Sequence, residues 1–175
     1  QSFAQSRGIT VDVTSVRALF AAICASKIVI VTTKNTDVMP DFLSALNGYF
    51  TSREATFAES GWNSLSDLVW KPQGDKFVLS DFANTVYSAA KSPDRLYAAV
   101  VGGVNAETLL SWFAPFVTYA NHPTEEYKLN LNEELSVILP DNICYVLAPA
   151  EGGADKFPRD VADAALQLDL ILSKT

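Results

Sequence analysis

The stretch Asp94–Asn105, which reads DRLYAAVVGGVN, decides the fold because its apolar centre can belong to a helix or to a strand. The proline just before it and the aspartate that opens it are typical of a helix start, and Gly102–Gly103 is typical of a helix stop. These signals predict a helix over Pro93–Val101. Under the alternative, the same apolar residues would form a strand of a buried sheet.

Helical spacing of apolar residues recurs along much of the remaining chain. A β-branched run, Ile28–Thr33, predicts a strand, Phe77–Leu79 predicts a brief one, and Ile143–Leu147 fits either a strand or a buried helical turn. The further predicted helices run from Thr14 or Ser15 to Ser26, from Pro40 to Phe50, from Glu54 to Trp70, from Phe82 to Ala90, from Glu107 to Ala120 and from Pro158 to Ser173.

The composition is apolar, acidic and poor in charge. Of the 175 residues, 49% are hydrophobic and 19% are charged, and the formal net charge is −7. An acidic balance disfavours a nucleic-acid binder that relies on overall charge. The low charge is consistent with apolar surface buried against neighbouring copies, or with an alanine-rich helical core. The chain length fits a single domain, 1–175. No apolar run is long enough to span a membrane, so we expect no membrane partner.

The residues give no catalytic or metal-binding constellation. The single histidine, His122, stands in a polar loop, where a solvated side chain is its ordinary role. Cys24 and Cys144 stand in separate apolar stretches and are predicted to be buried free thiols. No phosphate-binding loop, dinucleotide fingerprint or nucleophile motif is present. We therefore expect no enzyme activity, no cofactor and no metal.

The order of several segments resembles the coat proteins of rod-shaped plant viruses, the tobacco mosaic virus type. Ile28–Thr33 resembles the strand near the start of that family, and PDFLSALNGYF (Pro40–Phe50) its first helix. Further similar stretches are SDLVWKP (Ser66–Pro72), DRLYAAVVGGVN (Asp94–Asn105) and RDVADA (Arg159–Ala164), together with Ser80–Phe82 and Val86–Tyr87. The resemblance implies a mainly α fold, an up-down four-helix bundle with short strands.

In this interpretation residues 1–26 form an N-terminal extension and residues 27–175 form the bundle. The predicted core consists of apolar positions on the helices, namely Phe42, Leu46, Phe50, Leu65, Trp70, Leu96, Val100, Val161 and Leu168. The family implies a structural capsid protein that assembles with copies of itself into a helical rod around single-stranded genomic RNA, in the virion and the host cytoplasm. Non-closing contacts between subunits generate such filaments.

The resemblance also implies RNA-binding residues. Arg53 and Arg159 match helix starts at which arginines pair with phosphates, and Asp163 matches a carboxylate near the RNA. The arginine-rich stretch that the family carries after its third helix is absent, because the chain reads NAET from Asn105. The segment 106–157 is also longer than the family's inner loop. For Arg53 and Arg159 the alternative is an ordinary exposed arginine.

Two further positions are candidates for carboxylates that face each other between subunits. Asp94 matches one member of such a pair, and Asp67 is the nearest candidate for the other. Repulsion between paired carboxylates weakens assembly as pH rises, so mildly acid pH is expected to strengthen self-association. The alternative for Asp94 is an acid that stabilises the start of its helix through the dipole.

Two other function classes remain open. The segment Gly61–Leu65 (GWNSL), followed by an acidic helix, faintly resembles barstar-like immunity proteins, which are acidic inhibitors. The second is a small α/β enzyme of unknown chemistry, whose sheet would contain Ile28–Val31, Ala98–Val101 and Cys144–Leu147. The inhibitor would stay small at acid pH, whereas a coat protein would grow into discs or rods.

Overall fold

The chain folds around a five-stranded parallel β-sheet, as seen in a computed structural model of the protein. The structure describes residue 4 and residues 7–59, 61–105, 113–122, 124–131, 133–150 and 157–175. The predicted mainly α, up-down four-helix bundle is therefore wrong. The molecule is instead mixed α/β, with helices on both faces of the sheet.

Strands and helices alternate along most of the chain. A short 3₁₀ turn (Thr36–Val38) leads into the second α-helix. In chain order the described elements are β1 (Ile9–Val11), α1 (Val13–Ala25), β2 (Ile28–Thr33), α2 (Met39–Phe50), β3 (Thr56–Phe57), α3 (Leu65–Val69), β4 (Trp70–Gln73), β5 (Lys76–Leu79), α4 (Asp81–Lys91), β6 (Tyr97–Val104), α5 (Ala114–Asn121), β7 (Lys128–Asn130), β8 (Ser136–Ile138), β9 (Ile143–Pro149), α6 (Arg159–Ala164), β10 (Leu166–Leu170) and β11 (Leu172–Lys174).

The central sheet has the strand order β10-β2-β9-β6-β3, and every neighbouring pair in it is parallel. Three antiparallel pairs complete the described strands, namely β1 with β11, β4 with β5, and β7 with β8. Strands of a parallel sheet need long crossover connections, usually helical. In this chain the crossovers place α2 on one face and α4, α5 and α6 on the other, and α1, which precedes β2, packs on the same face as α2.

The apolar run of β2 is buried on both faces of the sheet. Ile28 and Ile30 pack with the core that contains α4 and α5. Val29 and Val31 point to the opposite core, which contains α1 and α2. A strand covered on both sides reads as a continuous hydrophobic run, because neither side of it faces water. The same reason accounts for ICYVLA in β9, which is buried throughout.

The stretch that decides the fold is strand β6, so the predicted helix over Pro93–Val101 is wrong. Seven of the eight residues of β6 are buried, and Gly103 is half-buried. A surface helix needs a polar side, which the sequence YAAVV does not supply. The segment forms a strand because it is buried between β9 and β3 in the sheet. The α/β alternative predicted three strands correctly, at Ile28–Val31, Ala98–Val101 and Cys144–Leu147.

Two further predicted helices are wrong over most of their length. The segment Glu54–Trp70 contains β3, a loop and the five-residue helix α3. The segment Pro158–Ser173 is helical only over α6, because β10 then pairs with β2 at the edge of the sheet. For the predicted helix Glu107–Ala120, helix α5 begins at Ala114, and residues 106–112 lie outside the described residues.

Other local predictions are confirmed. Helices α1, α2 and α4 and strands β2 and β5 lie where the sequence pattern predicted them. The N-cap of α1 is Asp12 rather than Thr14 or Ser15, and its carboxylate accepts from the Ser15 N–H at 3.1 Å. Leu96, a predicted core residue, is 38% exposed. The predicted core positions Phe42, Leu46, Phe50, Val100 and Val161 are buried, whereas Leu65, Trp70 and Leu168 are partly buried.

A buried amide in α2 completes the hydrogen bonding of β6. Strand β3 pairs with β6 only opposite Val101 and Gly102, so it does not reach the preceding residue. There the Val100 N–H donates to Asn47 Oδ1 at 3.3 Å. Asn47 Nδ2 donates to the Arg53 carbonyl at 2.7 Å and to Thr51 Oγ1 at 3.2 Å. Asn47 therefore supplies the acceptor that β3 is too short to offer Val100, and it ties the end of α2 to the sheet.

Replacing this amide should destabilise the domain. Asn47→Ala leaves the buried Val100 N–H without its acceptor, which costs about 1–3 kcal/mol of unfolding free energy. The exposed Asn121→Ala serves as the control, and its effect should stay within about 0.5 kcal/mol. Urea denaturation followed by circular dichroism measures both. Equal stability of the two variants would contradict the bridging role.

The two cysteines should differ sharply in reactivity. The prediction of two buried thiols is correct for Cys144, which is fully buried, and wrong for Cys24, which is exposed on α1. Burial raises the pKa of the Cys144 thiol to about 12, so its reactive thiolate is scarce at pH 8. A colorimetric thiol assay should count one fast thiol in the native chain and two in denaturant. Cys24→Ser should remove the fast one, and fast labelling of that variant would refute the assignment.

Candidate functional site

The sheet changes direction between β2 and β9, and a cleft opens at the carboxyl ends of these two strands. After β2 the chain passes through α2 to β3 at one edge of the sheet. After β9 it continues through α6 to β10 at the opposite edge. Connections that diverge from adjacent parallel strands leave a crevice between them, which is the usual ligand position in open α/β sheets. The cleft is therefore the candidate functional site.

The cleft is small and mostly apolar. Its volume is about 130 Å³. That is close to an engineered cavity of about 150 Å³ that holds benzene. The ends of β2, β3, β6 and β9 and the first turns of α2 all contribute to it. Its lining consists of Thr32, Thr33, Thr36, Met39, Pro40, Leu43, Phe57, Gly103, Ala148, Pro149 and Ala150.

Threonine hydroxyls supply the side-chain polarity of the cleft. Thr32 Oγ1 donates within the sheet, to Asp169 Oδ1 at 3.1 Å and towards the Leu168 carbonyl at 3.4 Å. Thr33 Oγ1 accepts from the Asn35 N–H at 3.3 Å. A hydroxyl carries one donor as well as its lone pairs, so the Thr33 hydroxyl can also donate to a bound molecule.

The glycine pair at the end of β6 shapes one wall of the cleft. A Cβ atom at Gly102 would lie 2.8 Å from Leu43 Cδ1 and 2.8 Å from two ring carbons of Phe57. Gly103 has φ +67°, a conformation that favours glycine. The pair was predicted as a helix C-cap, but it lets Leu43 and Phe57 close over the end of the strand.

The electrostatics of the cleft do not suit a phosphate. None of the described residues that line it carries a charge. Asp37 and Asp41 lie in the first turns of the 3₁₀ and α2 helices, where phosphate-binding loops present backbone N–H groups. The connection from β2 to α2 also lacks the glycines that allow backbone to approach a pyrophosphate. A neutral ligand fits these surroundings better.

Of the two arginines predicted to bind RNA at helix starts, only Arg159 lies at the start of a helix. Arg53 lies in the connection from α2 to β3, in a separate polar cleft of about 290 Å³ that Arg7 also lines. Arg159 does begin α6, and its Nε lies 3.7 Å from Asp163 Oδ2. These two side chains are 94% and 72% exposed, so their ion pair adds little to stability.

The predicted intersubunit carboxylates have different local surroundings. Asp67 Oδ2 accepts from the backbone N–H groups of Asn63 and Ser64, at 2.9 and 3.0 Å, in the capping box of α3. The Asn63 bond is the largest cause that lowers the pKa of Asp67 below its ordinary value. Backbone hydrogen bonds therefore favour the ionised form of Asp67 in the single chain, and its pairing with a carboxylate of another subunit stays a prediction. Asp94 lies in an exposed turn before β6, not at a helix start.

Other chemical features of the described residues are sparse. His122 caps the end of α5, and no group of three His, Cys, Asp or Glu side chains among the described residues could hold a metal. Within the same residues no helix is long and apolar enough to cross a membrane. The sequence did not reveal the cleft because the described lining of the cleft carries no catalytic, metal-binding or phosphate-binding motif. The threonines that follow the β2 run were the available signal.

Filling the glycine wall should strain the cleft. Gly102→Ala places a methyl group against Leu43 and Phe57, and overpacking of this kind costs about 1–3 kcal/mol. Gly48→Ala is the matched control, because a Cβ at this helical position meets nothing within 4 Å. That variant should gain about 0.5–1 kcal/mol. Chemical denaturation measures both, and a Gly102→Ala protein as stable as the parent would contradict the close packing.

Comparisons with known proteins assign no family to the chain. No protein-family model matches the chain, and no curated protein is significantly similar to it in sequence. The resemblance to the coat proteins of rod-shaped viruses stays a prediction.

Proposed function

We propose that the chain is a binding domain without catalytic activity, which takes a small neutral ligand about the size of one ring in the cleft between β2 and β9. The observation that carries the proposal is the position of an uncharged, mostly apolar cleft at the switch point of the parallel sheet. Ligands of open α/β sheets bind at such points because diverging connections leave room there.

The size of the cleft limits the ligand. Pockets for drug-sized molecules usually measure about 300–1,000 Å³. A cleft of about 130 Å³ accommodates a single ring or a short branched chain. Met39, Leu43 and Phe57 supply apolar contacts along its walls. The favourable free energy of binding would come chiefly from apolar surface removed from water.

The polarity of the cleft favours a ligand with one hydrogen-bonding group. The Thr33 hydroxyl can donate to an acceptor or accept from a donor, whereas Thr32 is already bonded to β10. Phenol has the required combination, since it joins an apolar ring to one hydroxyl. A carboxylate or phosphate would be desolvated in the cleft without a cationic partner, which is costly.

The absence of catalysis is part of the proposal. General acid–base and nucleophilic mechanisms need a titratable or activated group within hydrogen-bonding reach of the substrate. The described lining offers threonine hydroxyls, and none of them is hydrogen-bonded to a histidine, lysine or cysteine base in the contacts described above. Binding is the simplest function that this set of residues supports.

The capsid function predicted from the resemblance is no longer supported by a matching fold. Its implied assembly used the packing of a four-helix bundle, and its segment Asp94–Asn105 lies mostly on a strand of the sheet. Self-assembly with RNA, the immunity-protein alternative and the virion location therefore stay untested predictions. Electron microscopy of the purified protein at mildly acid pH addresses the first of them directly.

Nuclear magnetic resonance of ¹⁵N-labelled protein tests the proposed ligand class. Titration with phenol should shift the amide signals of Thr33, Gly103 and Ala150, whereas inorganic phosphate should leave them in place. Thr33→Val keeps the shape and removes the hydroxyl, so phenol should bind about 3- to 10-fold more weakly. Toluene, which has no hydroxyl, should bind both proteins equally.

Thr10→Val is the matched control, because the exposed Thr10 hydroxyl pairs with Thr175 on the β1–β11 ribbon, outside the described cleft lining. Its phenol affinity should equal that of the parent. The proposal fails if neither phenol nor toluene shifts the cleft signals at millimolar concentration. It also fails if inorganic phosphate shifts the same signals more strongly than phenol does.

A further inference from the structure

A second concave surface, far richer in aromatic groups, lies between α3 and the β4–β5 hairpin. This groove has a volume of about 640 Å³, and its lining includes Trp62, Trp70 and Phe77. Two of the three tryptophans of the chain are thus placed on one surface. Phe77 is 71% exposed, the largest exposed fraction among the described large hydrophobic residues. We call this surface the aromatic groove.

The aromatic groove is held by defined hydrogen bonds. Trp70 Nε1 donates to the Leu131 carbonyl at 2.9 Å, which fixes the indole ring. The capping box of α3 fixes Asp67 at the edge of the groove. The hairpin register pairs Pro72 with Phe77 across the two strands. A surface positioned in this way loses little conformational freedom when a partner binds.

The charge of the aromatic groove is negative. Asp67 and the exposed Glu59 both line it. Because backbone hydrogen bonds lower the pKa of Asp67, this carboxylate is ionised at neutral pH. Lys71 is the cation in the lining, and its Nζ lies 3.7 Å from Asp81 Oδ2, so Asp81 already offsets its charge. The formal net charge of the chain, −7, adds to the same field.

We propose that the aromatic groove binds an arginine side chain in an extended segment of a partner protein. A guanidinium group stacks on aromatic faces and also pairs with carboxylates through its planar fork of donors, and this groove supplies both. Lysine lacks the planar fork, and the negative charge disfavours nucleic acid. The volume exceeds what one guanidinium needs, which leaves space for the residues that flank the arginine.

A short synthetic peptide tests this inference without knowledge of the partner. The probe is acetyl-Gly-Arg-Gly-Arg-Gly-amide, followed by tryptophan fluorescence and by amide signals in ¹⁵N-labelled protein. Binding should shift the signals of Trp62, Asp67 and Phe77 and should weaken as salt rises. The peptide with lysine in place of arginine should bind about 3- to 10-fold more weakly, and the glutamate peptide should not bind.

Two surface variants separate the contributions of ring and charge. Phe77→Ala and Glu59→Gln should each weaken binding of the arginine peptide about 3- to 10-fold. Glu125→Gln, an exposed carboxylate outside the groove lining, is the matched control and should bind as the parent does. Equal binding of the arginine and lysine peptides, or shifts outside the groove, would overturn the inference. The outcome is independent of the phenol experiment, because the two sites share none of their described lining residues.

Discussion

The pairing of β2 with β9 is the contact on which the rest of the structure depends. It joins Ile28–Ile30 to Tyr145–Leu147 in parallel register, and it brings two divergent connections side by side. Hydrophobic burial drives this pairing, because the paired residues of both strands are buried on both faces of the sheet. Once they are adjacent, β10 and β6 can only add to the outer sides, and a cleft is left above the junction.

The sequence predicted local structure best where helical spacing gave an element one polar and one apolar face, although the segment Pro158–Ser173 has such spacing and is partly strand. The helix Met39–Phe50 and the helix Asp81–Lys91 were predicted correctly because their apolar residues follow helical spacing, with Pro40 in the first turn of one and Ser80 capping the other. The strand Tyr97–Val104 was not, because an apolar run buried on both sides has no periodicity that separates strand from helix. The segment is a strand because it lies between β9 and β3, and this position depends on the whole fold.

The candidate sites were hidden from the sequence for a related reason. The cleft collects one to three residues from each of four strand ends, one from the 3₁₀ turn and three from α2, so no single motif marks it. Glycines were interpreted through the commonest role of glycine, a helix cap, although at Gly102 the reason is the close approach of Leu43 and Phe57. Asp67 was chosen for its position beside Trp70 and Lys71, and its bonds within the α3 capping box could not be inferred from that position.

The pairing of β2 with β10 can form only after nearly the whole chain has been synthesised. Thr32 of β2 bonds to Asp169 of β10, a partner 137 residues away in sequence. Contacts of such separation give a high contact order and slow folding, because a long loop must close before they form. Translation at about 5–20 residues per second would separate the synthesis of the two strands by roughly 7–27 s. For most of that interval both edges of the apolar strand β2 lack a partner, because β9 also lies far along the chain. Unpaired edges of apolar strands favour aggregation, so late pairing exposes the nascent chain to it.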